Sequence, residues 1–226
     1  MNKAKGALIK PILTALLIIS TMLFTVSFSI GLPIYAREFY YMQISPLDIE
    51  NECGKDRETV IEGYDEVLDY LTKPNKSFSA GEFKYSDNGA KHFADCKSLF
   101  TLNAVIYIIS VVIIAVLLTL KRLKLIEFSR PLGLISPFWS GAVTLLVFAA
   151  LGIAVFIDFD TAFYVFHRIF FPGKDNWMFN PYTDEIILAM PGEFFMHCAI
   201  LIGSSVIILS LILIALGIIK KLKSRS

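Results

Sequence analysis

The chain has 226 residues, of which 55% are hydrophobic and only 18% are charged, and its mean hydropathy is +0.63. This composition leaves too little polar surface to cover a water-soluble globule, which argues against a soluble protein. The 21 Lys and Arg against 20 Asp and Glu give a net charge of +1, so no basic excess exists to bind a phosphate backbone. We therefore expect a membrane protein that binds no nucleic acid.

Four stretches of the chain contain no Asp, Glu, Lys or Arg, and they hold 26, 23, 27 and 26 residues. Each exceeds the roughly 20 residues that an α-helix needs to cross a hydrocarbon core of about 30 Å. A chain of this length has no soluble core large enough to bury four such helices. We predict a mainly α integral membrane protein with four transmembrane helices, at approximately 9–35, 98–120, 133–157 and 194–219.

The charged residues divide between alternate polar segments. Residues 1–10, 121–130 and 220–226 hold 11 basic residues and a single acid. Residues 36–97 and 158–193 hold 10 basic and 19 acidic residues. Because cytoplasmic loops carry an excess of Lys and Arg, we expect the first three segments in the cytoplasm and the other two outside. The net charge near zero is thus a cancellation between +10 inside and −9 outside.

Both termini are therefore expected in the cytoplasm. The first span follows three lysines, as the apolar region of a signal peptide does, but it is longer than the usual 7–15 residues, so we expect a retained anchor. The expected order is a cytoplasmic N-terminus with the first span (1–35), an extracellular cap (36–97), a span (98–120), a cytoplasmic loop (121–132), a span (133–157), an extracellular aromatic segment (158–193), a span (194–219) and a cytoplasmic tail (220–226).

The cap segment is too long for a simple connector and is expected to fold into a small extracellular domain. Asp56 is placed to cap a helix whose apolar residues recur at helical spacing and which ends before Pro74. Those apolar residues are Val60, Tyr64, Val67, Leu68 and Leu71. Partial alternation of aromatic residues within 76–85 is a weak signal for a short hairpin.

Three cysteines are consistent with more than one arrangement. Cys53 and Cys96 both lie in the cap segment. The sequence is consistent either with a disulfide between them or with two free thiols. Cys198 lies in the fourth span and is expected to pack as a small apolar residue.

The second outer segment, 158–193, is rich in aromatic residues with charges between them. Because Trp and Tyr prefer the level of the lipid headgroups, we expect a helix or loop along the outer membrane interface. Anchoring alone accounts for this composition, but the same surface is suited to gripping acyl chains. The substrate-binding residues predicted within it are Tyr164, Phe166, Arg168 and Trp177.

Two of the three histidines lie in the outer segments. His92 precedes the second span by six residues, and Asp95 shares its face if the helix begins early. His167 follows the third span by about ten residues. Each alone is typical of an ordinary interfacial histidine, but two imidazoles at the same membrane face form an acid–base candidate. His197, at the start of the fourth span, is a weaker third candidate.

Other chemistries find little support in the residues. Three histidines cannot supply the clustered histidine boxes of a membrane di-iron enzyme, and neither a zinc-protease helix nor a glycine-rich phosphate loop is present. A zinc site from His92, His167 and Asp95 has no ligand spacing in its favour. We therefore expect neither a metal site nor a cofactor.

The residues around both histidines form two motifs. The first is Gly89-x-x-His92-Phe93-x-Asp95-x-Lys97 and the second is Phe163-x-x-Phe166-His167-x-x-Phe170-Phe171. They are followed by Trp177, Asn180-Pro181, Asp184, Pro191 and Glu193-Phe194-Phe195. In this order and spacing they resemble the lipoprotein intramolecular transacylase family of Gram-positive bacteria, and the resemblance covers essentially the whole chain.

The resemblance implies a four-span membrane enzyme that moves the sn-2 acyl chain of a diacylglyceryl lipoprotein onto the amine of its own N-terminal cysteine. Diacylglyceryl-modified lipoproteins and membrane lipids would then be its partners. The family's two functional histidines fall on His92 and His167, whereas Arg168 is at a position where the family is expected to vary, so we assign it no catalytic role. One histidine would remove the amine proton and the other would support the oxyanion or leaving group, with Asp95 orienting His92.

Two rival functions remain open from the sequence. One is a non-enzymatic membrane module that binds lipid or a partner helix through the aromatic segment. The other is intermolecular acyl transfer from a phospholipid to the lipoprotein amine. An acyl-enzyme is disfavoured, since Cys96 is expected to face away from His92 on a helix.

Overall fold

The computed structural model describes residues 3–223, with side chains from Leu8 onward. That part of the chain is almost entirely helical and contains no strand. The helices are α1 (Lys3–Tyr35), α2 (Glu38–Tyr41), α3 (Ile49–Cys53), α4 (Arg57–Thr72), α5 (Asp87–Arg122), α6 (Ser136–Ile157), α7 (Phe159–Phe170), α8 (Ile186–Ala189) and α9 (Gly192–Lys223). The predicted α fold is confirmed. The side chains of Lys3, Lys5 and Arg225, which are among the basic residues counted from the sequence, lie outside the described part of the chain.

Four of these helices, α1, α5, α6 and α9, are long and apolar enough to cross a membrane. They correspond to the four charge-free stretches. A single turn of 3₁₀-helix at Pro131–Gly133 precedes α6, so this helix begins three residues after the predicted start.

The chain divides into two compact units. The span unit contains residues up to Ile30, residues Ala104–Ile153 and residues from Gly203 onward. The histidine unit contains Gly31–Asn103 and Ala154–Ile202, and it includes every predicted site residue.

Small residues hold the helices of the span unit together. A Cβ atom at Gly141 would overlap the backbone oxygen of Ser210, so α6 and α9 approach too closely for a larger residue. Ser140 of α6 donates a hydrogen bond to the carbonyl oxygen of Ile18 in α1 at 3.3 Å. In lipid, where helix association gains little from the hydrophobic effect, such close packing and interhelical hydrogen bonds drive assembly.

The histidine unit has a conventional aromatic core. The rings of Tyr40 and Tyr64 stack with centroids 3.7 Å apart, and the Tyr40 hydroxyl donates to the carbonyl oxygen of Ala189 at 2.6 Å. Asp56 caps α4 by accepting from the Thr59 N–H at 2.9 Å, as predicted. All five apolar residues of the predicted α4 stripe are buried.

The hairpin predicted for 76–85 is wrong, because these residues form an irregular loop. Its aromatic side chains pack instead of pairing a strand. The Phe78 ring lies 5.1 Å from that of Tyr70 on α4 and 4.9 Å from that of Phe93 on α5. The ring of Phe83 lies against Gly63 of α4, where a Cβ atom would overlap it.

Helix α5 is 36 residues long and begins eleven residues before the charge-free stretch. At 1.5 Å per residue it extends about 54 Å, well beyond a hydrocarbon core of about 30 Å. Its first part carries Asp87, Lys91, Asp95 and Lys97, whereas residues 98–120 carry no charged side chain. His92 therefore lies on a helix continuous with a span.

Candidate active site

The structure brings His92 and His167 together. His92 lies on α5 and His167 lies near the end of α7, and their ring centroids are 5.8 Å apart. Both side chains are buried, with exposed fractions of 6% and 7%. An interfacial histidine that serves only as an anchor would be exposed, so burial sets this pair apart from an ordinary surface pair.

Two contacts orient the His167 ring. Its Nδ1 lies 2.8 Å from the carbonyl oxygen of Phe163, one helical turn earlier. Because a carbonyl oxygen only accepts hydrogen bonds, Nδ1 carries the proton and Nε2 of the neutral ring keeps a free lone pair. The indole of Trp177 stacks on the imidazole with centroids 4.5 Å apart. Burial lowers the pKa of His167 below its usual value, and the bond to Phe163 only partly opposes this.

The His92 ring is enclosed by aromatic edges. Phe171 and Phe179 contact it with centroid distances of 4.9 and 5.5 Å, both edge-on. Burial, with smaller contributions from the neighbouring His167 and Lys174, lowers the pKa of His92 to about 4, and Asp95 opposes this shift only in part. Both imidazoles are therefore uncharged at neutral pH.

The two nitrogens of His92 differ in their surroundings. Nε2 lies 3.3 Å from Sγ of Cys96, one turn further along α5. Nδ1 is buried and has no hydrogen-bond partner among the described residues. A buried polar atom without a partner costs free energy, which is typical of an atom reserved for a ligand or substrate. The prediction that Cys96 faces away from His92 is wrong, because a spacing of four places both on one helix face.

Asp95, which was expected to orient His92, does not form a hydrogen bond with it. Its carboxylate accepts instead from Lys174 Nζ at 2.6 Å and from Asn176 Nδ2 at 3.2 Å. Burial alone raises the pKa of Asp95, but these two hydrogen bonds outweigh it and hold the pKa below its usual value. Asp95 thus fastens the loop that carries Trp177 to α5.

The predicted substrate-binding residues lie on α7 and the following loop. Tyr164 and Phe166 are half exposed, and the Tyr164 ring contacts Trp177 edge-on at 5.6 Å. Arg168 is exposed and pairs with Asp175 at 3.4 Å. These side chains present an aromatic surface next to His167.

The third histidine, His197, donates a 2.6 Å hydrogen bond from Nδ1 to Oε1 of Gln43.

The three cysteines are free, so the Cys53–Cys96 disulfide is not formed.

Several contacts of the site were not predicted from the sequence. Cys96 was readable from its spacing of four to His92. The contacts of Phe171, Phe179, Lys174 and Asn176 depend on the path of the loop after α7, for which the sequence carries no periodic signal.

The fold and this geometry define an integral membrane protein with a pair of buried, uncharged histidines. A family model of the lipoprotein intramolecular transacylase Lit matches residues 15–195. The chain belongs to this family.

Solved structures of one such protein share the fold. The membrane-integral lipoprotein intramolecular transacylase Lit from Bacillus cereus matches with a TM-score of 0.84 and 23% identity, covering 95% of this chain and 96% of that chain. Two variants of that protein, with one histidine replaced by arginine or by alanine, match with TM-scores of 0.77 and 0.78 at the same identity and cover 94% of those chains.

An uncharacterised protein of Aquifex aeolicus (strain VF5) is 24% identical over 142 residues, which are 62% of this chain. The match spans 60% of the length of that curated relative.

Proposed function

We propose that this protein is an acyltransferase that moves the sn-2 acyl chain of a diacylglyceryl lipoprotein onto the amine of the same lipoprotein's N-terminal cysteine. The product is an N-acyl, lyso-form lipoprotein. Membership of the transacylase family supports the reaction class. The observation that carries the proposal is the buried pair His92 and His167, with rings 5.8 Å apart and both uncharged.

The reaction needs an aligned substrate and proton transfer more than it needs an energy source. Conversion of an ester to an amide is downhill, and donor and acceptor belong to one molecule. Effective molarities of about 10⁵–10⁸ M for aligned groups correspond to roughly 7–11 kcal/mol of the barrier. What remains is to accept the proton of an amine with a pKa of about 7.7–8.0 and to stabilise a tetrahedral oxyanion.

His167 is assigned as the general base. Its Nδ1–H is held by the carbonyl oxygen of Phe163, so Nε2 is the nitrogen with the free lone pair. The neutral amine attacks the ester carbonyl, and this nitrogen accepts the proton that the amine loses. The ester C–O bond then breaks, and the glycerol oxygen leaves with the proton that His167 returns.

His92 is assigned as the hydrogen-bond donor to the oxyanion. Burial raises the pKa of the Cys96 thiol to about 12, so the sulfur keeps its proton and can donate it to Nε2 of His92. The imidazole proton then sits on Nδ1, the buried nitrogen without a partner. A neutral imidazole donor in a water-poor site stabilises a developing oxyanion because little reorganisation is needed.

The acyl chains are proposed to lie along the aromatic surface of Tyr164, Phe166 and Trp177, with Arg168 at its polar edge. The outer leaflet is the proposed side of the reaction, since both histidines lie in segments with an excess of acidic residues while the alternate segments are basic. This side is also where an extracytoplasmic lipoprotein presents its lipidated cysteine.

Tandem mass spectrometry of lipopeptides, in which fragment ions locate each acyl group on the amine or on the glycerol, tests the proposed reaction. In a host that lacks its own activity of this kind, expression of the chain should convert diacylglyceryl lipopeptide to the lyso form with no change in total mass, because the acyl group only moves. A phospholipid with an isotope-labelled acyl chain should leave the amide unlabelled. Label on the amine would replace the proposal with intermolecular transfer, and no conversion would favour a non-enzymatic binding module.

Cys96 is predicted to act as a positioning residue through its contact with His92. Replacing it with valine removes the S–H donor while keeping an apolar side chain of similar size, and we expect kcat to fall about tenfold with KM little changed. Cys96→Ser retains a donor and should recover most of the rate. The pH profile of kcat distinguishes a positioning role from loss of packing. Loss of the contact with His92 shifts the acid limb of this profile, whereas loss of packing does not. Equal rates for valine and serine variants would contradict the role.

A further inference from the structure

The span unit contains a cavity of about 960 Å³ that shares no residue with the candidate active site. Its walls come from α1, α5, α6, α9 and the loop that joins α5 to α6. Most of the lining is apolar, including Leu17, Phe24, Ile114 and Leu213. A cavity of this size is in the range of small-molecule binding sites, and its apolar lining suits a hydrocarbon chain.

The same cavity has a cationic edge. Four of its lining residues, Lys121, Lys124, Arg130 and Lys220, are exposed basic side chains, and none of them forms an ion pair within residues 8–223. The single acidic residue of the lining is Glu127, and Lys10 of α1 already binds its carboxylate.

Three of these cations, on three different elements, are close enough to affect one another. Lys121 ends α5, Lys220 lies in the last turns of α9, and Arg130 lies in the loop before α6. The charges of Lys220 and Arg130 both act on Lys121. Bringing like charges together without a partner is unfavourable, and a bound anion relieves it.

We propose that this cavity binds one anionic phospholipid. Its phosphate and acidic headgroup lie among Lys121, Lys124, Arg130 and Lys220, and its acyl chains lie against the apolar walls. A free phosphate or a nucleotide does not fill apolar walls of this extent, and a neutral lipid leaves the four cations unpaired. Because these segments carry the excess of basic residues, we assign the lipid site to the cytoplasmic leaflet.

Lipid titration of the full chain in detergent, read by native mass spectrometry, tests this site. The probes are phosphatidylglycerol and phosphatidylcholine with the same acyl chains. Each Lys or Arg near an anionic surface contributes about fivefold in affinity, so phosphatidylglycerol should bind the wild type at least tenfold more tightly. The double variant Lys121→Gln, Lys220→Gln should lose about twentyfold in affinity for phosphatidylglycerol and approach its affinity for phosphatidylcholine.

A matched variant controls for charge alone. Arg122→Gln with Lys223→Gln removes two cations from the same helices, and neither residue lines the cavity. Its affinity for phosphatidylglycerol should change less than about threefold. Equal losses in the two double variants would show diffuse attraction to the surface and overturn the proposal, as would equal binding of both lipids by the wild type.

The apolar half of the site is tested separately. Ala115 lines the cavity on α5, and Ala115→Trp fills part of the space. We expect weaker binding of both lipids, at least fivefold, with their ratio unchanged. Unaltered binding in this variant would show that the acyl chains lie elsewhere and would contradict the proposed site. Elution of each variant as the wild-type species on gel filtration excludes misfolding as the cause of a loss.

Discussion

Replacing His167 with alanine is expected to lower the rate of lyso-form production by about 10²–10⁴-fold, the usual contribution of a positioned general base. The reason lies in the tautomer. With Nδ1–H bound to the carbonyl oxygen of Phe163, Nε2 is the basic nitrogen next to the aromatic surface. His167→Gln should be equally defective, because an amide nitrogen is not a base. The measurement is the initial rate of conversion of a synthetic diacylglyceryl lipopeptide, followed by tandem mass spectrometry through the fragment ion that carries the acylated amine.

His92 is expected to respond differently. His92→Ala removes an oxyanion donor and should cost about 10²–10³-fold in kcat. His92→Gln supplies an amide N–H in the same region and should recover part of that loss, which a base could not do. His197→Gln is the control, since this histidine is held by Gln43 and does not contact the pair, and its rate should stay within about twofold of the wild type.

The contrast between the two glutamine variants decides the assignment of roles. Partial activity in His167→Gln together with none in His92→Gln would reverse the roles of the two histidines. Full activity in His167→Ala or His92→Ala would contradict the mechanism as a whole.

The parts of the fold that the sequence predicted depend on local patterns. Charge-free stretches of 23 to 27 residues are longer than a membrane core requires, so the four spans followed from length alone. Five of the six buried residues of α4 followed from helical spacing, and the start of α4 followed from the capping side chain of Asp56. The loop at 76–85 was misassigned because its partial alternation reflects aromatic contacts with Tyr70 and Phe93.

The site divides in the same way. The contacts of His167 with Phe163 and of His92 with Cys96 are both made across four residues of one helix, so they are readable in principle. The stacking of Trp177 and the binding of Asp95 by Lys174 join residues about 10 and 79 positions apart through an irregular loop. No periodicity predicts the path of such a loop, which is why the sequence identified the histidines but not what surrounds them.

Asp184 also makes its contacts through this irregular loop, and Asp184→Ala is expected to destabilise the histidine unit. Its carboxylate is buried, with 4% exposure, and accepts from the N–H and the hydroxyl of Ser86, both at 2.8 Å. Ser86 in turn accepts from the Gly89 N–H at 3.0 Å and so caps α5. Burial alone would raise the pKa of Asp184, but these hydrogen bonds and that from Thr183 hold it below its usual value.

The alanine variant leaves two donors of Ser86 without their acceptor. A hydrogen bond to a charged group contributes about 1.5–3 kcal/mol, so loss of at least one should lower the midpoint of thermal unfolding by about 3–12 °C. Because Ser86 sets the start of the helix that carries His92, the rate of acyl transfer should fall as well. Thermal unfolding followed by tryptophan fluorescence and the lipopeptide assay measure the two effects.

Two further variants separate the buried hydrogen bonds from charge. Asp184→Asn retains an acceptor oxygen without the negative charge and should lie between alanine and wild type in midpoint. Asp175→Ala, in the same loop, removes an exposed carboxylate whose described ion pair is with Arg168 at 3.4 Å, and an exposed pair of this kind contributes about 0–1 kcal/mol. If Asp175→Ala lowered the midpoint as much as Asp184→Ala, the loss would reflect the charge of the loop, and the proposed cap on α5 would have to be abandoned.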